Sequence, residues 1–356
     1  MSELARPLTE AAERLFSQRC DARIVEAADA GEWPAALWSA LEDLGPHQLL
    51  MPEARGGAGG DWLDACALAE RAGAFNVPLP VAETVLGGWL RARAGLAAPA
   101  PGPVAFGVTS TDPGAAQPRG RIDIDEPALR WAAQAAHVAL VGGAPDADAW
   151  LLWLPRASCE VTPGPAAGGD PAGRVRCDAA RLDAEGVDCA RLPGLRVRDV
   201  RARAALLAAA EIAGNLGRVL ELTLAYTGER VQFGRAIGQF QAVQHQLAQL
   251  AEEAAAARVA VQSAALAEDT PWFTVAAAAA KLRTGDAAGL ASRIAHQLHG
   301  AIGVTAEHVL HQSTRRLRCL RDEHGAEALW ARVLVDALRE GGFRSAWHAV
   351  VACTSH

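Results

Sequence analysis

From residue 200 onward, Ala209, Ala213, Leu216, Leu220 and Leu224 recur every three or four positions, as do Phe240, Val243, Leu247, Leu250 and Ala254, and later Leu329, Val333 and Ala337. That spacing keeps one face of an α-helix apolar, and a succession of such faces predicts a helical bundle. A third helix opens at Thr270-Pro271, a cap followed by proline where a helix start tolerates it, and is expected to run to His299. A fourth is expected behind Thr305, with Glu307 in its first turn, and a fifth behind Gly325. Residues 8–97 also read as helical: "TEAAERLFSQ" behind Thr9, "WPAALWSALEDLG" between a proline and a glycine, and "DWLDACALAERAG" from Asp61 to Gly73. Between these two regions the runs shorten. "VAFGVTS", "RIDID", "HVALVGG", "AWLLWLP", "RVRCDAA" and "LRVRDV" lie between clusters of proline and glycine and predict a small all-β domain. The plan is therefore mainly α with a β middle: an N-terminal helical domain over 1–99, a central β domain over 100–199 and a helical bundle over 200–356.

Composition removes several function classes. The formal charge of -7, from 41 acids against 34 bases, includes no basic block to follow a phosphate backbone, so nucleic acid is not expected as a partner. The first residues carry acids where a secretory leader carries bases, and no run of apolar residues is long enough to span a bilayer. A soluble cytoplasmic protein, without membrane contact, is the expectation. Seven cysteines with no C-x-x-C pair read as reduced, mostly buried thiols. Lys281 is the only lysine, so there is no P-loop, and an aldimine-forming enzyme would have to use that one residue. The glycine-rich "MPEARGGAGG" lies between helices instead of after a strand, and reads as a connection and not a phosphate cradle.

Two stretches carry chemistry. "ERVQFGRAIGQFQAVQHQLAQL" sets Arg230, Gln232, Phe233, Gln239, Phe240 and Gln241 around Gly234 and Gly238, which read as a turn between helices. A guanidinium suits a phosphate, an amide suits a heterocycle edge, and a phenyl ring covers an apolar ring. A capped turn with solvated side chains explains the stretch equally well. In "HQLHGAIGVTAEHVLH", Gly300 and Gly303 break a helix and let backbone approach something flat. Its four histidines form H-x-x-H twice, yet the glycines separate the pairs and no carboxylate is spaced to complete a ligand set. No metal is expected.

With these motifs the sequence resembles the acyl-CoA dehydrogenase family. "RVQFGRAIGQFQAVQH" resembles the family's Arg-x-x-Phe-Gly stretch, and "QLHGAIGVTAEH" its Gln-x-x-Gly-x-x-Gly stretch, in the family's order. The resemblance covers nearly the whole chain and implies an N-terminal helical domain, a β middle and a C-terminal four-helix bundle. It implies FAD held at a subunit interface, with Arg230 at the pyrophosphate of a neighbouring subunit's cofactor, Gln232 and Phe233 beside it and Gln241 near the adenine. Gln297, Gly300 and Ala301 meet the same dinucleotide. The implied reaction is α,β-dehydrogenation of an acyl-CoA thioester by a homodimer, a homotetramer or a heterotetramer with a related subunit, with electrons passing to an electron-transfer flavoprotein. In the middle domain "FGVTSTDPGAAQP" resembles a degraded Thr-Glu-Pro-Gly segment with Asp112 in the glutamate's place, and Thr109 and Thr111 there read as strand-end turn residues.

The family's base is where this chain departs. Most members place a glutamate before Gly-Thr ahead of the last helix. Here "EHGA" puts His324 at that position and Glu323 one residue early. Neighbouring Cα atoms lie roughly 3.8 Å apart and their side chains leave in different directions, so the offset matters. The alternative location used by other members falls on Ala204, and Ala326 and Ala328 replace two further polar residues. Three readings stand: Glu323 as base, neutral His324 as base, or a chain that binds FAD without a base of its own as one subunit of a heteromeric enzyme. The plain alternative for Asp322 and Glu323 is two acids placed favourably near a helix N-terminus.

Overall fold

The computed structural model describes residues 5–116, 120–164, 168–182, 184–341, 345 and 347–348. The chain divides into two compact units, Met1–Ala72 with Asn76–Ala204, and Gly73–Phe75 with Ala205–His356. Among the described residues no helix is long and apolar enough to cross a membrane.

The first unit begins with helices α1 (Ala5–Arg19), α2 (Ala22–Asp29), α3 (Ala35–Glu42), α4 (Trp62–Ala74, whose last turn enters the second unit) and α5 (Val81–Arg93). Thr9 lies inside α1 and does not cap it, because Pro7 sits in the first turn, where a backbone N–H has no helical partner to lose. Asp61 does cap α4. Asp64 N donates to Asp61 Oδ1 at 3.0 Å and Asp61 N to Asp64 Oδ2 at 2.8 Å, a reciprocal pair that satisfies two otherwise unpaired donors.

The β region supplies β1 (Val104–Val108), a short α6 (Pro113–Ala116), β2 (Arg121–Arg130), β3 (His137–Gly142), β4 (Trp150–Pro155), β5 (Glu160–Pro163), β6 (Ala172–Arg181) and β7 (Asp188–Arg191). They form two sheets, β1-β3-β4-β7 and β2-β6-β5, and among the described pairings only that of β1 with β3 is parallel. Val138, Leu140, Leu152 and Leu154 of the first sheet share one core with Ile122, Ile124, Leu129 and Val175 of the second. The opposite face of the first sheet is covered too: a Cβ on Gly87 of α5 would meet Val104 and Trp153. Strands covered on both faces read as unbroken apolar runs, which is why "HVALV" and "WLLWL" do not alternate, whereas β2 does. The four-residue β5 and β7 escape a pattern search. They pair because β6 and β4 offer open edges.

The run "LRVRDV" is not a strand. Its last four residues open α7 (Val197–Glu229), which Arg196 N starts by donating to Asp199 Oδ2 at 2.9 Å. In the second unit α7 is followed by β8 (Val231–Gln232), β9 (Arg235–Ala236), α8 (Gln241–Leu266), α9 (Phe273–His299), α10 (Leu310–Asp322) and α11 (Glu327–Glu340). The helix expected behind Thr305 begins later, since Gly300–Val304 forms a 3₁₀ turn and the ring of His308 accepts from Leu310 N at 3.1 Å to cap α10. Of the cysteines, Cys20, Cys66, Cys159 and Cys177 are buried and Cys189 and Cys319 half-buried, all as free thiols; Cys353 lies outside the described residues.

Candidate active site

The turn expected around Gly234 is a two-residue β-hairpin. Val231 pairs with Ala236 and Gln232 with Arg235. Phe233 and Gly234 both have positive φ, +53° and +80°, the conformation that lets a two-residue loop follow the strands' twist. Glycine adopts it freely. For phenylalanine it costs about 1–2 kcal/mol, and the ring it presents is 92% exposed. Phe233 stands edge-on to Phe240 at 6.1 Å, and the Arg235 guanidinium lies 4.2 Å over the Phe240 ring.

A groove of about 360 Å³ opens beside the hairpin, between Gln232, Phe233, Ile237 and Phe240 on one side and Gln297 and Leu298 on the other, with Val243 and Gln246 of α8 in its wall. Rings and aliphatic chains make up most of its lining, with three amide side chains, Gln232, Gln246 and Gln297, among them. Such a lining accepts a planar heterocycle with polar edges, and the volume suits one end of a dinucleotide. Gln232, Phe233 and Gln297 are thus brought together from distant parts of the chain. Arg230, Gln241, Gly300 and Ala301 do not line this groove, although all seven residues are exposed. Sequence reasoning missed Ile237, Gln246 and Leu298; Val243 and Gln246 share a helical face, a signal that the spacing did contain.

Behind the groove, Tyr226 ties its two halves. Its ring stacks on His299 at 4.4 Å, its hydroxyl donates to His299 O at 3.3 Å, and its own carbonyl accepts from Arg230 N at 2.9 Å. The histidines have packing and hydrogen-bonding roles. His299 Nδ1 donates to Ala295 O at 2.8 Å, His296 bonds Thr314 at 3.0 Å, and His311 Nδ1 donates to His308 O at 2.8 Å. Burial lowers the pKa of His296, His299 and His308. Among the described residues no three His, Cys, Asp or Glu side chains converge as a metal site.

Asp322 to Gly325 form a type II turn. Gly325 N donates to Asp322 O at 3.1 Å, Glu323 is extended at φ -63° and ψ 132°, and His324 follows at φ +57°. That third position normally takes glycine or asparagine. The turn directs both side chains inward enough to leave His324 13% and Glu323 25% exposed, with Glu323 Oε1 3.8 Å from His324 Nε2. Trp330 Nε1 donates to Gly325 O at 3.0 Å, and the Arg321–Glu327 ion pair spans the turn from α10 to α11. Ala204 is buried, with no polar group to offer.

In the β region Thr109 Oγ1 accepts from Thr111 N at 3.1 Å, and Asp112 Oδ1 accepts from Gly114 N at 2.9 Å, so these residues shape a strand-end turn. Burial raises the pKa of Glu126, against its hydrogen bond with Thr109. Trp131, 2% exposed, holds φ +63°, and its indole N–H meets no acceptor among the described residues. The described non-glycine residues with positive φ are Asn76, Trp131, Phe233 and His324. Two of the four, Phe233 and His324, fall in the segments singled out by the sequence motifs, and strain of this kind persists where surrounding structure enforces it.

The profile for the acyl-CoA dehydrogenase C-terminal domain matches residues 201–338 and that for the N-terminal domain residues 2–97. Acyl-CoA dehydrogenase IpdE2 of Mycobacterium tuberculosis is 34% identical over 297 residues, 83% of this chain and 83% of that protein. Acyl-CoA dehydrogenase FadE34 of the same organism is 31% identical over 90% of this chain, which spans only 44% of FadE34. The Tcur3481-Tcur3483 steroid ACAD has a similar fold, with a TM-score of 0.81 at 24% identity, covering 96% of this chain and 99% of that one. So does the ChsE4-ChsE5 complex from Mycobacterium tuberculosis, with a TM-score of 0.79 at 20% identity over 96% and 98% of the two chains.

Proposed function

The chain belongs to the acyl-CoA dehydrogenase family, and from that membership we propose that it performs FAD-dependent α,β-dehydrogenation of an acyl-CoA thioester with His324, backed by Glu323, as its base. The protein is an oxidoreductase and its cofactor is FAD. When bound, FAD supplies the acceptor for the hydride that leaves the β-carbon. The groove beside the hairpin fits part of that cofactor: Phe233 and Phe240 offer apolar surface, Gln232 and Gln297 offer amide edges, and Arg230 offers a guanidinium to the pyrophosphate of a neighbouring chain's cofactor. Gln241, Gly300 and Ala301 are exposed and available to the same cofactor.

The observation that carries the proposal is the type II turn at the family's base position, which keeps His324 left-handed with a carboxylate 3.8 Å from its Nε2. A neutral imidazole taking the α-proton acquires a positive charge. Glu323 lies close enough to stabilise that charge by about 4 kcal/mol at an effective dielectric of about 20, which supplies the negative charge a lone imidazole lacks. Electrons then pass to an electron-transfer flavoprotein.

A second reading has its own support. Two of the structurally similar proteins are assemblies of two differently named chains, and this chain lacks a glutamate at the usual place. It would then contribute the cofactor surface to a heteromeric enzyme whose partner supplies the base. One experiment separates the two. The chain purified alone with FAD is given a panel of acyl-CoAs and an artificial electron acceptor. Bleaching of the flavin, with turnover reduced about 100-fold in His324→Ala and about 10-fold in Glu323→Gln, supports the first reading. A yellow protein that no acyl-CoA bleaches refutes it and favours the second.

A further inference from the structure

Lys281 is the chain's only lysine among 34 basic residues, and it is 2% exposed in the middle of α9. Its ammonium donates to Leu320 O at 2.8 Å and to Arg321 O at 2.7 Å, two carbonyls in the last turn of α10. Carbonyls there have no partner within the helix, and the helix dipole makes that end negative. A compact, tetrahedral ammonium can meet two diverging carbonyls, whereas the flat fork of arginine is shaped for carboxylates. This offers a reason for lysine here in a chain that otherwise uses arginine.

The carbonyls it holds immediately precede the Asp322–Gly325 turn. Two other fixings converge on the same turn, the Arg321–Glu327 ion pair and the Trp330 bond to Gly325 O. Burial pushes the Glu327 carboxyl up, but the Arg321 bond, a backbone bond and the charges of Arg321 and Lys281 together leave the group below its ordinary value. Glu327 reaches its place because Gly285, four residues after Lys281, has no side chain: a Cβ there would lie 2.5 Å from Glu327 Oε1. A left-handed histidine requires a frame that over-determines it.

We propose that Lys281 is a positioning residue for dehydrogenation, holding the exit of α10 so that the turn presents Glu323 and His324 in working geometry. The proposal deepens the reading of His324 and Glu323 as the base pair and rests on it for its catalytic consequence. The groups facing the ammonium are Glu327 from α11, Glu323 and Asp322 from the turn, and Arg321 from α10; burial lowers the Lys281 pKa to about 8 against the pull of the three acids.

The test uses the FAD-loaded protein, with its partner chain where it takes one, and compares wild type with Lys281→Met. Hydrogen exchange of the 321–327 segment is expected to rise at least about 10-fold while the rest of α9 and α10 stays protected. With a substrate, kcat is expected to fall about 10- to 100-fold, with KM and flavin content unchanged. Unchanged exchange in the turn overturns the proposal, and so does a rise spread evenly over both helices, which marks a purely structural role. If wild type turns over no acyl-CoA, the function proposed above fails, and the exchange result still decides whether Lys281 holds the turn. Should Lys281→Met not fold, wild type is followed from pH 7 to 9.5. Local opening of the turn takes the two carbonyls from an amine that stays buried in α9, so exchange in the turn, corrected for intrinsic rate, is expected to rise with a midpoint near the value of about 8 and to lose that midpoint in Lys281→Arg. No midpoint in wild type overturns the proposal.

Discussion

Phe233 and His324 each hold a backbone conformation that their side chains disfavour, and each sits where a ligand or a reacting group is expected. His324→Gly relieves the left-handed strain. It is expected to leave stability unchanged or raise it by up to about 1 kcal/mol in a denaturant melt, while turnover drops about 100-fold. A loss of stability would show that the imidazole contributes mainly packing. Phe233→Ala removes a ring that is 92% exposed, so folding stability should stay within about 0.5 kcal/mol. FAD affinity, measured by fluorescence titration, should fall about 10-fold, as expected for a lost aromatic contact of about 1.4 kcal/mol. The candidate residues were named from the motifs and from the family resemblance those motifs carry. Their conformation was not, because φ at His324 follows from how Trp330 and Gly325 lock the turn, and those contacts come from the fold.

Among the elements, the long helices were the most legible and edge strands the least; of the expected caps Asp61 holds, whereas Thr9 lies inside α1 and the helix expected behind Thr305 begins at Leu310. Asp61 is expected to be worth about 1 kcal/mol as the cap of α4, so Asp61→Ala should lower stability by that amount in a thermal or denaturant melt. The start of α7 was misread because Leu195, Val197 and Val200 mimic a short strand beside the β region, and only Asp199 in the first helical turn argued otherwise. The hairpin β8–β9 was read simply as a turn, since phenylalanine is an unusual residue for a left-handed position. The glycine after it was the available clue.

For the molecule as a whole, pH offers a direct probe. His47, His137, His296, His299 and His308 all have their pKa lowered from 6.5, chiefly by burial. The unfolded chain therefore binds more protons as pH falls through 6.5, and stability should decline below that pH in calorimetric scans. Lys281 acts at the other end. Its pKa is lowered from 10.5 to about 8 in the fold, so the cost of its burial is fully present below pH 8 and is removed as pH rises to 10.5. Relative to Lys281→Met, wild type should gain on the order of 3 kcal/mol across that window.

The sequence by itself determined the order of helical and β regions, the family and the segments proposed to carry its chemistry. Those depend on local periodicity, on glycine and proline positions, and on motifs whose residues lie close together in the chain. Only the tertiary structure decided which of those residues meet: Gln297 beside Gln232 and Phe233 in one groove, and Lys281 against the carbonyls of Leu320 and Arg321. These pairs are far apart in sequence, and no local rule specifies which buried donor will find which free carbonyl until the helices have packed.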